Sequence, residues 1–338
     1  MKRLNAGLTA LILSGLLISS QSMAHHDLVI YSTRNVELIT PLTEKYQQAR
    51  GVKIKLVEVE EERLIESFKS PEQSREADLF FAKSIHSLFE AQKGGLLKTV
   101  RSEVLNHNIP EHLRSKENIW FGISLRARAI VYKSDQVMHS ELFSYAALAG
   151  PNWADRLCMI SGMNPYNQLL IASLILRYGA ADTEQILSGW VNNLALPPMK
   201  SDSEAIKAIE QGICDAAIVN HYYFSRAKMA KPDLQLGIFW PNQRGQGVHV
   251  GISAIAMAKS THAEKEAIAF MEWLSGKEAQ LLMTELNNEF PVNPRVPPSD
   301  NLSMLGGFKQ DSLPLDDLVG LMDKAQAIIR KTGFLADQ

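Results

Sequence analysis

The sequence has 338 residues, 46% hydrophobic and 21% charged, which is ordinary globular composition. It excludes a disordered tail, a collagen-like rod and a low-complexity linker, and the length suits two domains or one two-lobed body. Lys and Arg number 35 against 37 Asp and Glu, a net charge of −2, so no basic excess supports a nucleic-acid footprint.

The chain starts with an address. Lys2 and Arg3 give a basic start, Leu8 to Ile18 is apolar, and Ser22-Met23-Ala24 places small residues before a cleavage point. This is the pattern of a secretory signal peptide over residues 1–24. The apolar run is too short for a membrane anchor, which takes ~20 residues. The mature chain then begins near His25, and losing Lys2 and Arg3 takes the charge from −2 to −4. No second apolar span follows, so a soluble protein in the bacterial periplasm, not inserted in the membrane, is expected.

Asp27–Tyr31 reads as a strand. Glu37–Arg50 reads as a helix with Leu38, Ile39, Leu42 and Tyr46 on one face and Gly51 as its stop. Val52–Val57 alternates like a strand, Arg63–Lys69 is a short helix, Ala77–Phe81 a strand, and Ser84–Gln92 a helix ending before Gly94-Gly95. Such alternation predicts a parallel sheet covered by helices. Trp120–Ser124 and Ala129–Tyr132 follow as two strands, separated by Leu125–Arg128.

A second α/β region runs from about 134 to 247. It holds helices at Gln168–Tyr178 and Glu204–Gln211, a strand at Ala216–Asn220, and a helix including Phe224–Met229. Val248–Ala258 is a strand, and His262–Ser275, Lys277–Leu286 and Asp316–Thr332 are helices. No long linker separates the regions, so the chain crosses between two lobes more than once. Strand-like crossings make a hinge, and hinged exported α/β bodies close on ligands.

The two cysteines, Cys158 and Cys214, favour one disulfide in an exported chain over two buried thiols. Enzyme signatures are missing: no G-x-S-x-G elbow, H-E-x-x-H, Walker A or G-x-G-x-x-G occurs. The acidic run Glu58, Glu60, Glu61 and Glu62 reads as a solvated loop and helix start.

The informative segment is Ala216-Ala-Ile-Val-Asn220-His-Tyr222-Tyr223-Phe-Ser-Arg226, an apolar strand running into paired tyrosines. Ligands of open α/β sheets bind beyond the carboxyl ends of strands. The two phenols are either core aromatics or donors to a hard cation such as Fe(III). A free tyrosine has a pKa of about 10, and a trivalent ion displaces that proton.

Several stretches resemble the periplasmic ferric-iron-binding proteins of bacterial ABC importers, which have the type II, hinged solute-binding fold. They are Val29–Arg34, Glu76–Phe81, Trp120–Arg128, Cys158–Asn167, Gly212–Asp215, Asn220–Tyr223 and Glu285–Pro291. The resemblance implies two lobes, each a mainly parallel sheet flanked by helices. One covers 25–126 plus 252–303, the other 127–251 plus 304–338, with the ligand cleft between them. It implies Tyr166, Tyr222 and Tyr223 as phenolate ligands of Fe(III), and Arg34 with Arg126 holding a synergistic carbonate or bicarbonate. Asn220 and Ser161 support the site, and the Cys158–Cys214 pair matches a pair found in part of the family. The partners implied are an inner-membrane permease and its ATPase, with the binding protein a monomer.

The sequence also departs from its relatives. Asn35 and Val36 stand where many have His or His-Tyr, and Lys83 where one branch has a Glu ligand. The sequence looks most like the branch of the family that uses three tyrosines and a bidentate carbonate. There, ferric iron, three phenolates, carbonate and two arginines sum to zero charge. An inward-pointing Lys83 adds a positive charge outside that sum. By the same resemblance Asn35 and Lys83 are placed around the site, outside the ligand set. Two residues after His249 stands Gly251, where relatives often have Asn, and His249 is not assigned as a ligand. Two other functions compete with iron capture. One is binding of a small organic or phosphate-like anion on Arg34, Arg126 and Lys83. The other is a ligand sensor working with a membrane kinase. Nothing supports an enzyme.

Overall fold

The computed structural model describes residues 27–61, 63, 64 and 76–336. The leader through Ala24 and most of the short helix expected over Arg63–Lys69 lie outside the described residues. Nine strands are described: β1 (Leu28–Ser32), β2 (Ile54–Glu58), β3 (Leu79–Ala82), β4 (Leu97–Lys98), β5 (Trp120–Lys133), β6 (Ala216–Asn220), β7 (Leu236–Phe239), β8 (Val250–Ala258) and β9 (Phe290–Pro291). They are ordered β2-β1-β3-β8-β5-β6, with β4 on β8 and with β7 and β9 on β5.

β2, β1 and β3 are parallel, as strand–helix alternation requires. The helix Thr40–Arg50 makes the crossover from β1 to β2 and stops at Gly51, whose φ of 69° is left-handed. β8 and β5 run antiparallel to their neighbours. In the second lobe the parallel contacts among the described residues are single bridges, from Leu157 to Leu194 and Ala216, from Ile160 to Met199 and from Val248 to Gln310.

β5 is one strand of 14 residues where the sequence pattern predicts two. Leu125–Arg128 looks like a break because it carries charge, yet Arg126 and Arg128 are buried at 3% and 1% exposure. Its first half pairs with β8 from Trp120 to Ala127, and its second half pairs with β6 from Arg128 to Tyr132. The strand therefore belongs to both lobes. The pairing with β8 shifts register between Gly122 and Ser124, a bulge that re-aims the residues after it. Gly122 is required there, since a Cβ would stand 2.7 Å from the carbonyl of Leu113.

In the second lobe the helix Pro165–Asn192 runs well past the expected Tyr178. It turns at Gly179, where φ is 81°, and continues with Leu187 and Trp190 in the core. The last helix is in two pieces, Leu315–Val319 and Met322–Thr332, with Gly320 at the joint. Met322–Thr332 packs on the long helix, and Phe334 closes the layer against Trp190, their rings 6.2 Å apart. Full burial of a side chain such as Phe334 contributes roughly 1.5–3 kcal/mol. No helix among the described residues is long and apolar enough to cross a membrane.

Cys158 and Cys214 form a disulfide across 56 residues. It lies beside the backbone bond from Cys158 N–H to the Ala216 carbonyl, 2.9 Å, and so pins the start of β6. A chain-entropy model gives such a loop about 4 kcal/mol. The double variant Cys158→Ser, Cys214→Ser is expected to unfold at clearly lower denaturant concentration. An unchanged midpoint would mean that the backbone pairing alone holds β6.

Candidate metal centre

Alternate residues of a strand share one face, and on β5 these are Ser124, Arg126 and Arg128. Each meets a different polar group, and together they line the ground between the lobes. β6 ends at Asn220, and the helix His221–Ala230 begins at once, which puts Tyr222 and Tyr223 in its first turn. Tyr166 is likewise in a first turn. The Asn164 side chain caps the helix Pro165–Asn192 by accepting from the Tyr166 N–H at 3.0 Å, with proline at the first helical position. All three phenols therefore stand at helix N-termini, where exposed N–H groups and the helix dipole favour negative charge.

Tyr222 and Tyr223 lie with ring centroids 4.4 Å apart and planes tilted by 36°. Asn220 Nδ2 donates to the Tyr222 hydroxyl at 3.4 Å. The guanidinium of Arg126 lies over the Tyr166 ring, 5.1 Å from its centroid. Its Nη2 donates to the carbonyls of Lys83 and Ile252, and its Nε is buried with no partner. Burial opposes its charge most strongly, but Tyr166, Glu289, Tyr222 and Glu61 together raise the Arg126 pKa. Arg126 is thus the cation around which these groups converge.

Tyr222 has its pKa pushed well above the ordinary value, first by burial and then by Tyr166 and Tyr223, against the pull of Arg126. Burial also raises Tyr223. Left to themselves these phenols keep their protons at neutral pH. A polyvalent cation placed among them displaces the protons and relieves the repulsion that holds the pKa values up. Among the described residues no three His, Cys, Asp or Glu side chains gather to hold a metal. The donors offered here are hard phenolic oxygens.

A buried ion pair supports the tyrosines. Arg128 Nη1 donates to both oxygens of Asp202, at 2.9 and 3.2 Å. Its Nη2 donates to Asn167 Oδ1 at 2.7 Å and to the Ile218 carbonyl at 2.9 Å. Asp202 accepts the Asn220 N–H at 3.0 Å, and Asn167 Nδ2 donates to the Ile160 and Ser161 carbonyls at 2.9 and 3.2 Å. One ion pair thereby ties β5, the end of β6 and the first turn carrying Tyr166. Ser161 joins through its carbonyl, and its Oγ accepts from the Met163 N–H.

Residues predicted from the sequence are placed unevenly. Tyr166, Tyr222, Tyr223, Arg126 and Asn220 come together. The sequence leaves Arg34 without a partner, but the structure pairs it with Glu289: Nη1 donates to Oε2 at 2.9 Å and also reaches Ser253 Oγ. Ser124 Oγ donates to the same carboxylate. Lys83 also gains a partner, Glu61 at 3.6 Å, and its charge is compensated. Glu61 is buried and accepts from Ser84 Oγ at 2.9 Å, so the acidic run is not wholly a solvated face. Asn35 is exposed, and its side chain is spent accepting from the Glu37 N–H at 2.8 Å.

Asp202, Glu289 and Glu61 were the residues that sequence reasoning missed. The available signal was Arg126-Ala-Arg128 inside an apolar run, because a buried arginine needs an acidic partner. His249, Asn220, Tyr166, Arg126 and Arg128 line a cavity of about 10 Å³ with Ser84 opposite. That admits one water-sized group, far less than the 300 Å³ or more of an organic ligand site.

A family model described as bacterial extracellular solute-binding protein matches residues 151–310. Iron uptake protein A2 of Synechocystis sp. is 34% identical over 337 residues, covering 97% of this chain and 95% of that protein. The solved structure of a Trichodesmium protein (IdiA, FutA) in complex with iron and citrate ligands matches with TM-score 0.87 and 38% identity, over 91% of this chain and 100% of that one. A ferric binding protein from Campylobacter jejuni matches with TM-score 0.82 and 33% identity, over 91% and 99%.

Two buried histidines make the fold sensitive to acid. Burial lowers His249 to about 3 and His221 to about 4, from 6.5. Below pH 6.5 the unfolded chain takes up protons that the folded chain refuses, so stability falls as pH falls. Glu289, lowered to about 2 mainly by Arg34 and Arg126 against its burial, acts in the same direction below its ordinary 4.5. For His249 alone the loss from pH 7.5 to 5 is about 2 kcal/mol. Denaturant unfolding of chelator-treated protein at the two pH values is expected to show it, and His249→Gln to flatten the slope. Equal slopes in both proteins would reject the assignment.

Proposed function

Because the chain belongs to the bacterial extracellular solute-binding proteins, in the group that includes iron uptake and ferric-binding proteins, we propose that it captures ferric iron in the periplasm. Its leader is removed near Ala24, and it delivers the ion to an inner-membrane ABC permease and its ATPase. The observation that carries this reading is the meeting of Tyr166, Tyr222 and Tyr223, from two helix N-termini, beside the buried Arg126. Three phenolates match the charge and hardness of Fe(III). Asn220 and the Arg128–Asp202 pair hold them in place, and Arg126 receives a small co-bound anion of the carbonate or bicarbonate type.

The work is done by binding and closure, with no covalent step and a monomer as the acting unit. All three tyrosines belong to the lobe formed by 127–251 plus 304–338, so iron docks there first. The lobe formed by 25–126 plus 252–303 then closes, a population shift driven by contacts made only in the closed form. Arg126 suits this role because it already touches both sides, through the Lys83 carbonyl and the Tyr166 ring.

Protein loaded with ferric citrate and desalted is expected to be coloured by phenolate-to-iron charge transfer and to carry one iron by metal analysis. Tyr222→Phe is expected to shift the band and weaken retention by more than the roughly 10- to 100-fold that loss of a supporting residue brings. Colourless loaded protein, or a Tyr222→Phe variant holding iron as well as the parent, would reject the reading.

A further inference from the structure

Among the described residues, the charges around the tyrosines are paired off or screened with one exception. Arg34 meets Glu289 at 2.9 Å, with side chains 4% and 6% exposed, and Lys83 meets Glu61 at 3.6 Å. Arg128 meets Asp202 at 2.9 Å. Arg226, near the Tyr222 ring, is exposed and screened by water. Only Arg126 remains, with two backbone carbonyls on Nη2 and nothing on Nε.

Resting on the ferric reading above, three phenolates cancel the three charges of the metal. The site is then left with one positive charge, that of Arg126. A singly charged anion brings it to neutrality. A doubly charged anion would need Arg34 as well, and Arg34 is already held by Glu289. A second negative charge in this desolvated ground would be uncompensated.

We propose that Glu289 is a specificity-determining residue: by occupying Arg34 it limits the anion that binds with ferric iron to a single negative charge. Bicarbonate or hydroxide fits, while carbonate, hydrogenphosphate and sulfate are disfavoured. Geometry supports the same limit. The Glu289 Oε2 that accepts from Arg34 also accepts from Ser124, so the pair is fixed from β5. Glu289 stays ionised at any neutral pH, its pKa being lowered to about 2.

The test uses full-length mature protein loaded with ferric iron and dialysed at pH 8 against bicarbonate, hydrogenphosphate or sulfate. Iron retention against a citrate competitor and the position of the phenolate band are read in each. Wild type is expected to retain iron at least ten-fold better in bicarbonate than in either dianion. In Glu289→Gln, which frees Arg34, that ratio is expected to fall to near one or to invert. Arg34→Met, which leaves Glu289 uncompensated and adds a negative charge to the site, is expected to move the other way and to raise that ratio further. Simple structural damage would push both variants in the same direction. Loss of the wild-type band in CO2-free buffer is expected, since a ten-fold preference for bicarbonate requires it; a band that persists unshifted there rejects that preference. A wild type that prefers sulfate or hydrogenphosphate overturns the proposal. So does a Glu289→Gln ratio within two-fold of wild type, or equal loss in both variants under every anion. Absence of the phenolate band in all three proteins is a separate result: it removes the ferric reading, and the proposal with it.

Discussion

A guanidinium taken out of water must find acidic partners nearby, and β5 buries two of them two residues apart on one face. Arg128 is answered by Asp202, and through that pair by Asn167 and the Asn220 N–H. Arg126 is answered only indirectly, by Glu289, Glu61 and the phenols, none of which bonds it. The difference between the two neighbours decides what each can do. Arg128 is satisfied and builds the frame. Arg126 keeps an unpartnered Nε and faces the space where a charge can arrive.

The frame matters because phenols are poor ligands until they lose their protons. Their burial and mutual repulsion hold Tyr222 and Tyr223 above the ordinary pKa. Only an ion that returns more than this repulsion displaces the protons. A trivalent hard cation does so more readily than a divalent one, so the raised pKa acts as a threshold on charge. The helix N-termini and Arg126 lower the threshold by a fixed amount, since they are set by backbone and by the frame whether or not an ion is bound.

Much of the fold was legible in the sequence, and the reasons are specific. Ala216–Asn220 was read to the residue because an apolar run ends at a polar asparagine before a helix-patterned segment. The paired tyrosines are visible at the end of that strand, but the pattern alone leaves them as core aromatics or metal donors, and only the family resemblance favours donors. β5 reads as two strands because charge in a strand usually marks a surface; the two arginines inside an apolar run signal that acidic partners exist, but not where in the chain they lie. The helix beyond Tyr178 was lost at Gly179, which reads as a stop and is in fact a turn within a longer helical unit. The acids that complete the site come from three distant segments, around 61, 202 and 289. Such pairing is a property of the folded chain, and no spacing in the sequence encodes it.

The pairing also changes the electrostatic reasoning. Counted from the sequence, Arg34 and Arg126 together match a doubly charged anion, and Lys83 is a surplus. In the folded chain, Glu289 and Glu61 bring two negative charges that this count omits, and both Arg34 and Lys83 are neutralised where they stand. Glu289 lies just before β9, which pairs with β5 at Ser124 and Leu125. The same short strand that seals the hinge therefore delivers the carboxylate to Arg34. Charge at the site and geometry at the hinge are set by one segment. A change in the packing of Phe290 and Pro291 on β5 would move Glu289, and would alter the number of positive charges left for an incoming anion without touching a tyrosine.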